Sequence, residues 1–213
     1  MTSTAASAIS SHLSLLAMKR AAAACQACPL YERGTRTVFG EGMRRARVVL
    51  VGEQPGDRED RTGRPFVGPA GHLLDQALVR AQIPRQHTYV TNVVKHFKCV
   101  QKGQRRLHQT PNAREIGACL PWLEAELELI RPLVVVCLGV TAAKVLIGRD
   151  FRASTGRGKF VENARARFVT ATVHPSAVLR ARTDEARQQG LMQLVADLAN
   201  VARVLGAHRQ TGV

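Results

Sequence analysis

Acidic residues are scarce in this chain: 16 Asp and Glu stand against 31 Lys and Arg in 213 residues, a net charge of +15. The shortage predicts a surface that attracts a polyanion, and nucleic acid is the commonest one. A secretory signal is also missing, because the alanine-rich stretch from Ala5 to Ala24 is interrupted by His12, Lys19 and Arg20 and reads as an amphipathic helix. A cytoplasmic location with no membrane partner is the expectation. Thiols stay reduced in that compartment, so Cys25, Cys28, Cys99, Cys119 and Cys137 are expected as core residues or metal ligands, not disulfides. Internal repeats and long low-complexity linkers are lacking too. The length suits a single α/β domain over residues 1–213, with short flexible ends at about 1–8 and 207–213. The Gly-x-Gly-x-x-Gly fingerprint is absent, and Pro55 removes an amide that a pyrophosphate would use, which argues against a dinucleotide turn.

What is present concentrates between Gly52 and Gly71. The run Arg47-Val-Val-Leu-Val51 is continuous and β-branched, as a strand buried on both faces of a parallel sheet should be. Ligands of open α/β sheets bind just past such strand ends. Pro55, Pro65 and Pro69 fix a tight path among glycines, where backbone amides can approach a ligand. Phe66 is the one large apolar side chain of this polar loop, either a stacking surface or a plug for the core.

Further strands read at about 88–92, 133–138 and 167–173, with helices at about 71–81, 112–129, 141–147 and 184–205. Leu191, Leu194, Val195 and Leu198 recur at helical spacing as core packing. Asn92 and His174-Pro175-Ser176 emerge at the same sheet edge as Gly52, so three polar clusters converge. The polar stretch from Lys95 to Pro111 carries Lys98, Lys102, Arg105, Arg106 and His108, and its length as a connection suggests function. Cys25-x-x-Cys28 alone is compatible with zinc, a redox pair or chance.

Gly52-Glu-Gln-Pro-Gly-Asp57, Pro65-Phe-Val-Gly-Pro-Ala-Gly71, Asn92-Val-Val-Lys95 and His174-Pro-Ser176 resemble the iron–sulfur uracil-DNA glycosylases of family 4. Within a match over about residues 25–205, Lys95-His-Phe-Lys98 and Arg105-Arg-Leu-His-Gln-Thr-Pro111 look like the UdgX subgroup. The resemblance implies a three-layer α/β/α sandwich around a four-stranded parallel sheet, a 4Fe-4S cluster, and a monomer that recognises uracil flipped out of DNA, with single strands preferred. Base flipping explains why the loops converge, since the base must be extruded into a pocket that reads its edge.

On that resemblance Phe66 stacks on uracil, Gly52 and Gln54 border it, and the Asn92 amide pairs with its imide edge. His174 faces a uracil carbonyl, where a donor stabilises charge on the leaving base. Glu53 and Asp57 lie on the sugar side, whereas Glu59 and Asp60 are expected at the surface. Gln54 stands where family members carry a small residue, which alters the usual place of a hydrolytic water. The UdgX pattern implies that His108 attacks the anomeric carbon and leaves a covalent protein–DNA link, while Arg105, Arg106, Gln109 and Ser176 contact DNA. The cluster ligands carried over are Cys25, Cys28, Cys119 and His96, with Cys99 as the alternative to His96 because thiolates are the usual iron–sulfur ligands. Cys137 reads as a core thiol. Two other readings stand beside this one: a hydrolytic glycosylase using the same pocket, and a non-catalytic, metal-stabilised nucleic-acid-binding module.

Overall fold

The computed structural model describes residues 14–208. Among them the strands are β1 (Glu41–Gly42), β2 (Val48–Gly52), β3 (Thr88–Asn92), β4 (Cys99–Lys102), β5 (Arg105–His108), β6 (Val134–Leu138), β7 (Val161–Asn163) and β8 (Ala166–Thr172). The main sheet has six strands in the order β1-β3-β2-β6-β8-β7. Its four central strands, β3, β2, β6 and β8, are parallel, as expected. The short outer strands β1 and β7 pair antiparallel and extend the expected four-stranded sheet on both sides.

Alternation along buried strands builds two apolar layers. Val49, Val51, Val135 and Cys137 face one, whereas Val48, Leu50, Val134 and Val136 face the other. The first is filled by Met18 and Ala22 of α1 (Leu15–Ala23) and by Trp122, Leu123 and Leu127 of α5 (Ala113–Ile130). Leu74 and Leu78 of α4 (Pro69–Arg80) and Leu194, Leu198 and Val201 of α9 (Asp184–Ala207) fill the second. Shorter helices connect these layers: α2 (Leu30–Arg33), α3 (Asp57–Thr62), α6 (Val140–Leu146), α7 (Ala153–Gly156) and α8 (Pro175–Leu179). Helix α5 starts where its sequence dictates. The Asn112 side chain accepts from the Glu115 amide and Glu115 accepts from the Asn112 amide, a capping box.

Three expectations change. The amphipathic helix read over Ala5–Ala24 is α1 from Leu15 onward, and its earlier part lies outside the described residues. The expected flexible ends also lie outside them, save Ala207, which closes α9, and His208 after it. The polar stretch from Lys95 to Pro111 is not a plain connection but an antiparallel hairpin, β4–β5, in which Cys99 stands opposite His108. No helix among the described residues is long and apolar enough to cross a membrane.

Beneath the sheet edge lies a buried ion pair that nothing in the sequence pattern announced. Lys95 Nζ stands 2.6 Å from Glu126 Oε2, with both side chains sealed from solvent. Lys95 also donates to Thr91 Oγ1 and to the Asn92 carbonyl, at 2.7 and 2.8 Å. Glu126 accepts further from the Gly40 amide, the Tyr89 hydroxyl and the Thr91 hydroxyl. Removing one member of such a pair leaves an uncompensated buried charge, which costs about 3–5 kcal/mol. Urea unfolding of Glu126→Ala is expected to show a loss of that size. A loss below about 1 kcal/mol, the range of an exposed pair, would contradict this account.

Candidate active site

Gly52 and Asn92 are neighbours in the β2–β3 ladder, and β8 ends two residues before His174. Past these strand ends opens a cavity of about 680 Å³ whose wall includes Glu53, Gln54, Phe66, Asn92, His108 and His174. Side chains from four separate segments, all anticipated from sequence, therefore share one space.

The end by β2 and β3 is shaped for a flat ring. A Cβ on Gly52 would fall 2.3 Å from Asn92 Oδ1 and 2.8 Å from the Phe66 ring, so only glycine lets amide and ring approach each other there. Phe66 itself sits at φ 55, a left-handed conformation uncommon for an aromatic residue. Gly71 packs against its backbone, since a Cβ there would lie 1.8 Å from the Phe66 carbonyl oxygen. Asn92 is buried, and among the described residues nothing bonds its side-chain amide. The amide is free to read a ligand edge.

His174 presents a defined tautomer. Its Nδ1 accepts from the Ser176 amide at 3.1 Å and lies 2.7 Å from the Ser176 hydroxyl, which puts the ring proton on Nε2. Burial pushes its pKa down to about 4, with the neighbouring Glu53 charge pulling the other way. The ring is thus a neutral donor. Ser176, expected on DNA, is engaged with this ring, and Arg180 donates to its hydroxyl at 3.0 Å.

Opposite, Glu53 Oε1 lies 3.3 Å from His108 Nε2, and the Thr141 hydroxyl donates to Oε2. Burial raises the Glu53 pKa, but the bonds from His108 and Thr141 and the charges of His108 and His174 outweigh it and hold the group below the ordinary carboxylate value. Sequence reasoning missed Thr141; its signal was a hydroxyl two residues past Gly139, at the end of a core strand. Asp57 is corrected: it stands outside the cavity wall, 2.9 Å from Arg61 and 2.6 Å from Arg106.

Arg106 is a second correction. Expected on phosphates, it turns inward, donates to Asp57 and Asp60 at 2.6 Å each, and lies over the Phe97 ring. Asp60 and Glu59, expected at the surface, are buried. Asp60 accepts from the Thr35 amide as well as Arg106, and Glu59 accepts from the Gly68 amide at 2.7 Å. Gln54, expected against uracil, holds the hairpin instead: its Nε2 donates to the carbonyls of Lys98 and Gln109, and its Oε1 accepts from the Lys98 amide. Gln109 takes part through its backbone, while Arg105 remains exposed. Lys98 adds an ion pair to Glu115 at 2.9 Å. His108, half exposed, rides on this fastened arm.

All five cysteines are free thiols. Cys25 and Cys28 follow α1, and buried Cys119 projects from α5 close enough to feel the charges of both. Donors point at two of the sulfurs: Trp122 Nε1 to Cys25 at 3.3 Å and the Lys95 amide to Cys119 at 3.2 Å. Such N–H contacts suit thiolates that hold a cluster. Among the described residues no group of three or more His, Cys, Asp or Glu is placed to hold a single metal ion. His96, next to Lys95, lies against Gly34 at the end of α2 and 2.8 Å from the Thr37 hydroxyl. Cys99 belongs to the hairpin, and Cys137 is a core thiol of β6.

Comparison with known proteins agrees with this geometry. The sequence profile of the uracil DNA glycosylase superfamily matches residues 39–199. A type-4 uracil-DNA glycosylase of Thermotoga maritima is 42% identical over 165 residues, covering 77% of this chain and 82% of the relative. The type-4 enzyme of Pyrobaculum aerophilum is 39% identical over 163 residues, 73% of this chain and 80% of its own. That of Archaeoglobus fulgidus is 40% identical over 162 residues, covering 73% and 78%. With its parallel sheet, its three converging strand-end motifs and a profile match over most of its length, the chain belongs to the uracil DNA glycosylase superfamily.

Proposed function

We propose that the protein cleaves uracil from DNA and becomes covalently joined to the emptied sugar through His108. The observation that carries this is the His108 imidazole held 3.3 Å from Glu53, in the same cavity as Phe66, Asn92 and the His174 donor. Phe66 stacks on the flipped base and Asn92 pairs with its imide edge, which cytosine, reversed in donor and acceptor, cannot match. As the C1′–N1 bond breaks, its electron pair leaves with uracil, and the His174 Nε2–H stabilises the anionic carbonyl. Glu53 stabilises the developing positive charge of the sugar and orients His108. An imidazole lone pair then forms the bond to C1′, and the positive charge passes to the ring, beside Glu53. With Gln54 committed to the hairpin and the sugar bonded to a ring nitrogen, a poor leaving group, the adduct persists.

The type-4 relatives favour a second reading, hydrolysis in the same pocket. Incubation with uracil-containing single-stranded DNA and denaturing electrophoresis separates the two. A shifted band that survives SDS and heat is the expected result, and abasic DNA without a shift would establish turnover instead. His108→Ser should abolish the shifted band, and Glu53→Gln should slow its formation by at least about a hundredfold.

The 4Fe-4S cluster belongs to the same proposal. Cys25, Cys28, Cys119 and His96 would hold it, with Cys99 as the alternative fourth ligand, and when bound it would order the DNA-facing loops. Cys119→Ser and His96→Ala are expected to lose visible iron–sulfur absorbance, whereas Cys99→Ser keeps it. Loss in Cys99→Ser with retention in His96→Ala would exchange the two assignments.

His174 sets a pH dependence. Its folded pKa of about 4 lies below the ordinary value of about 6.5, so between them the unfolded chain binds more protons. Stability rises with pH through that window and is lost on acidification. Melting temperatures of His174→Gln should fall less steeply between pH 6.5 and 4 than those of the wild type, and equal slopes would refute this.

A further inference from the structure

The cavity is longer than one base requires. It begins at Asn92 on β3 and continues past Thr172 on β8 to Arg157. Three strand spacings separate β3 from β8, about 14 Å. Stacked nucleotides rise about 3.4 Å along a strand. The uracil groups Phe66, Asn92 and Glu53 stand at the β3–β2 end and His174 follows β8, so the far arm that is left over is the part of the wall formed by Phe151, Ala153 and Arg157.

That arm has its own chemistry. Phe151 is half-buried with its ring against Gly156, where a Cβ would fall 2.6 Å from it. Arg157 donates through Nη1 to Asp197 at 2.8 Å, and Thr172 donates to the same carboxylate oxygen at 2.6 Å. The Gly158 amide, bonded to the Ala171 carbonyl at 2.8 Å, pins the loop to β8. Among the described residues the other guanidinium nitrogens of Arg157 have no partner. Asp197 thus orients an arginine with donors to spare, in a cavity wall that also holds one side of Phe151, whose ring otherwise packs on the core; Arg152 and Lys159, close in sequence, are exposed.

We infer that this arm is a second nucleotide subsite, which takes the nucleotide flanking the flipped uracil, its phosphate on Arg157 and its base against Phe151. The inference rests on the uracil reading above. It adds a reason for the cavity's length and for a buried carboxylate that the excision chemistry does not use. Arginine suits the role because its planar fork can hold Asp197 on one edge and a phosphate on another.

The test compares wild type, Arg157→Gln, Arg157→Lys and Phe151→Ala on single strands carrying uracil internally or as the terminal nucleotide at either end, over a salt series. Arg157→Gln should raise the DNA concentration for half-maximal rate of adduct formation on internal uracil about tenfold, with little change in the limiting first-order rate. It should also reduce the salt slope by about 0.7, the contribution of one phosphate contact on a single strand. Arg157→Lys should restore the slope. On the terminal substrate that lacks the flanking nucleotide, wild type and Arg157→Gln should behave alike. Phe151→Ala, which leaves Asp197 paired, should show the same substrate pattern and guards against a folding defect in the arginine variant. Equal losses on internal and terminal substrates, or an unchanged salt slope, would overturn the subsite. A wild type that does not distinguish uracil from thymine would overturn the parent reading and the subsite with it.

Discussion

The Lys95–Glu126 pair is the constraint on which the candidate site rests. An ammonium offers three protons and a carboxylate accepts about four hydrogen bonds. Here the three protons go to Glu126, Thr91 and the Asn92 carbonyl, and Glu126 receives Lys95, Thr91, Tyr89 and the Gly40 amide. Both ions are saturated within the core, the condition under which a buried pair is tolerable. The consequence is positional. The carbonyl of Asn92 is fixed from below, so its side chain is presented upward to the cavity. The backbone of Lys95 meets Cys119, so the same few residues join the cavity edge at Asn92 to a cysteine.

A second, looser attachment brings His108 to the cavity. A two-stranded hairpin alone is marginally stable in water. The β4–β5 hairpin is held by three polar clamps: Gln54 to its strand bases, Lys98 to Glu115, and Arg106 to Asp57 and Asp60. Residues with the look of a DNA-contacting loop are in good part its internal fastenings. His108 gains a fixed place beside Glu53 while the arm around it stays exposed.

Legibility in the sequence follows the physical origin of each feature. The four parallel strands were legible because burial on both faces demands unbroken β-branched runs such as Val48 to Val51. Their shared edge followed from strand direction, which is why Glu53, Asn92 and His174 could be brought together before any coordinates. Glu126, Asp60 and Glu59 were not legible as buried, since an acid on an amphipathic helix looks like an exposed residue until its donors are known. Those donors come from Gly40, Thr35 and Gly68, distant or backbone partners that leave no pattern. Arg106 misled for the same reason, because charge predicts attraction to phosphate but says nothing of two carboxylates waiting nearby. The hairpin was hidden because its strands are mostly exposed and polar, without the apolar alternation by which strands are read.

The two halves of the candidate site are therefore carried by structures of different rigidity. Phe66, Gly52, Asn92 and His174 belong to or abut the saturated core, with an aromatic backbone held in the left-handed region by Gly71 and an imidazole tautomer fixed by Ser176. Their backbones and the His174 ring are held by close packing and hydrogen bonds within or beside the core. His108 depends on a hairpin whose clamps are side-chain contacts near solvent, and its link to Glu53 is 3.3 Å, longer than the bonds that fix the base pocket. Changes to the arm can alter what stands beside Glu53 while leaving the strand-end wall of the cavity intact. Within one superfamily fold this separation lets the loop around the cavity vary while the strand ends stay fixed, and in this chain the arm carries an imidazole to the cavity wall beside Glu53.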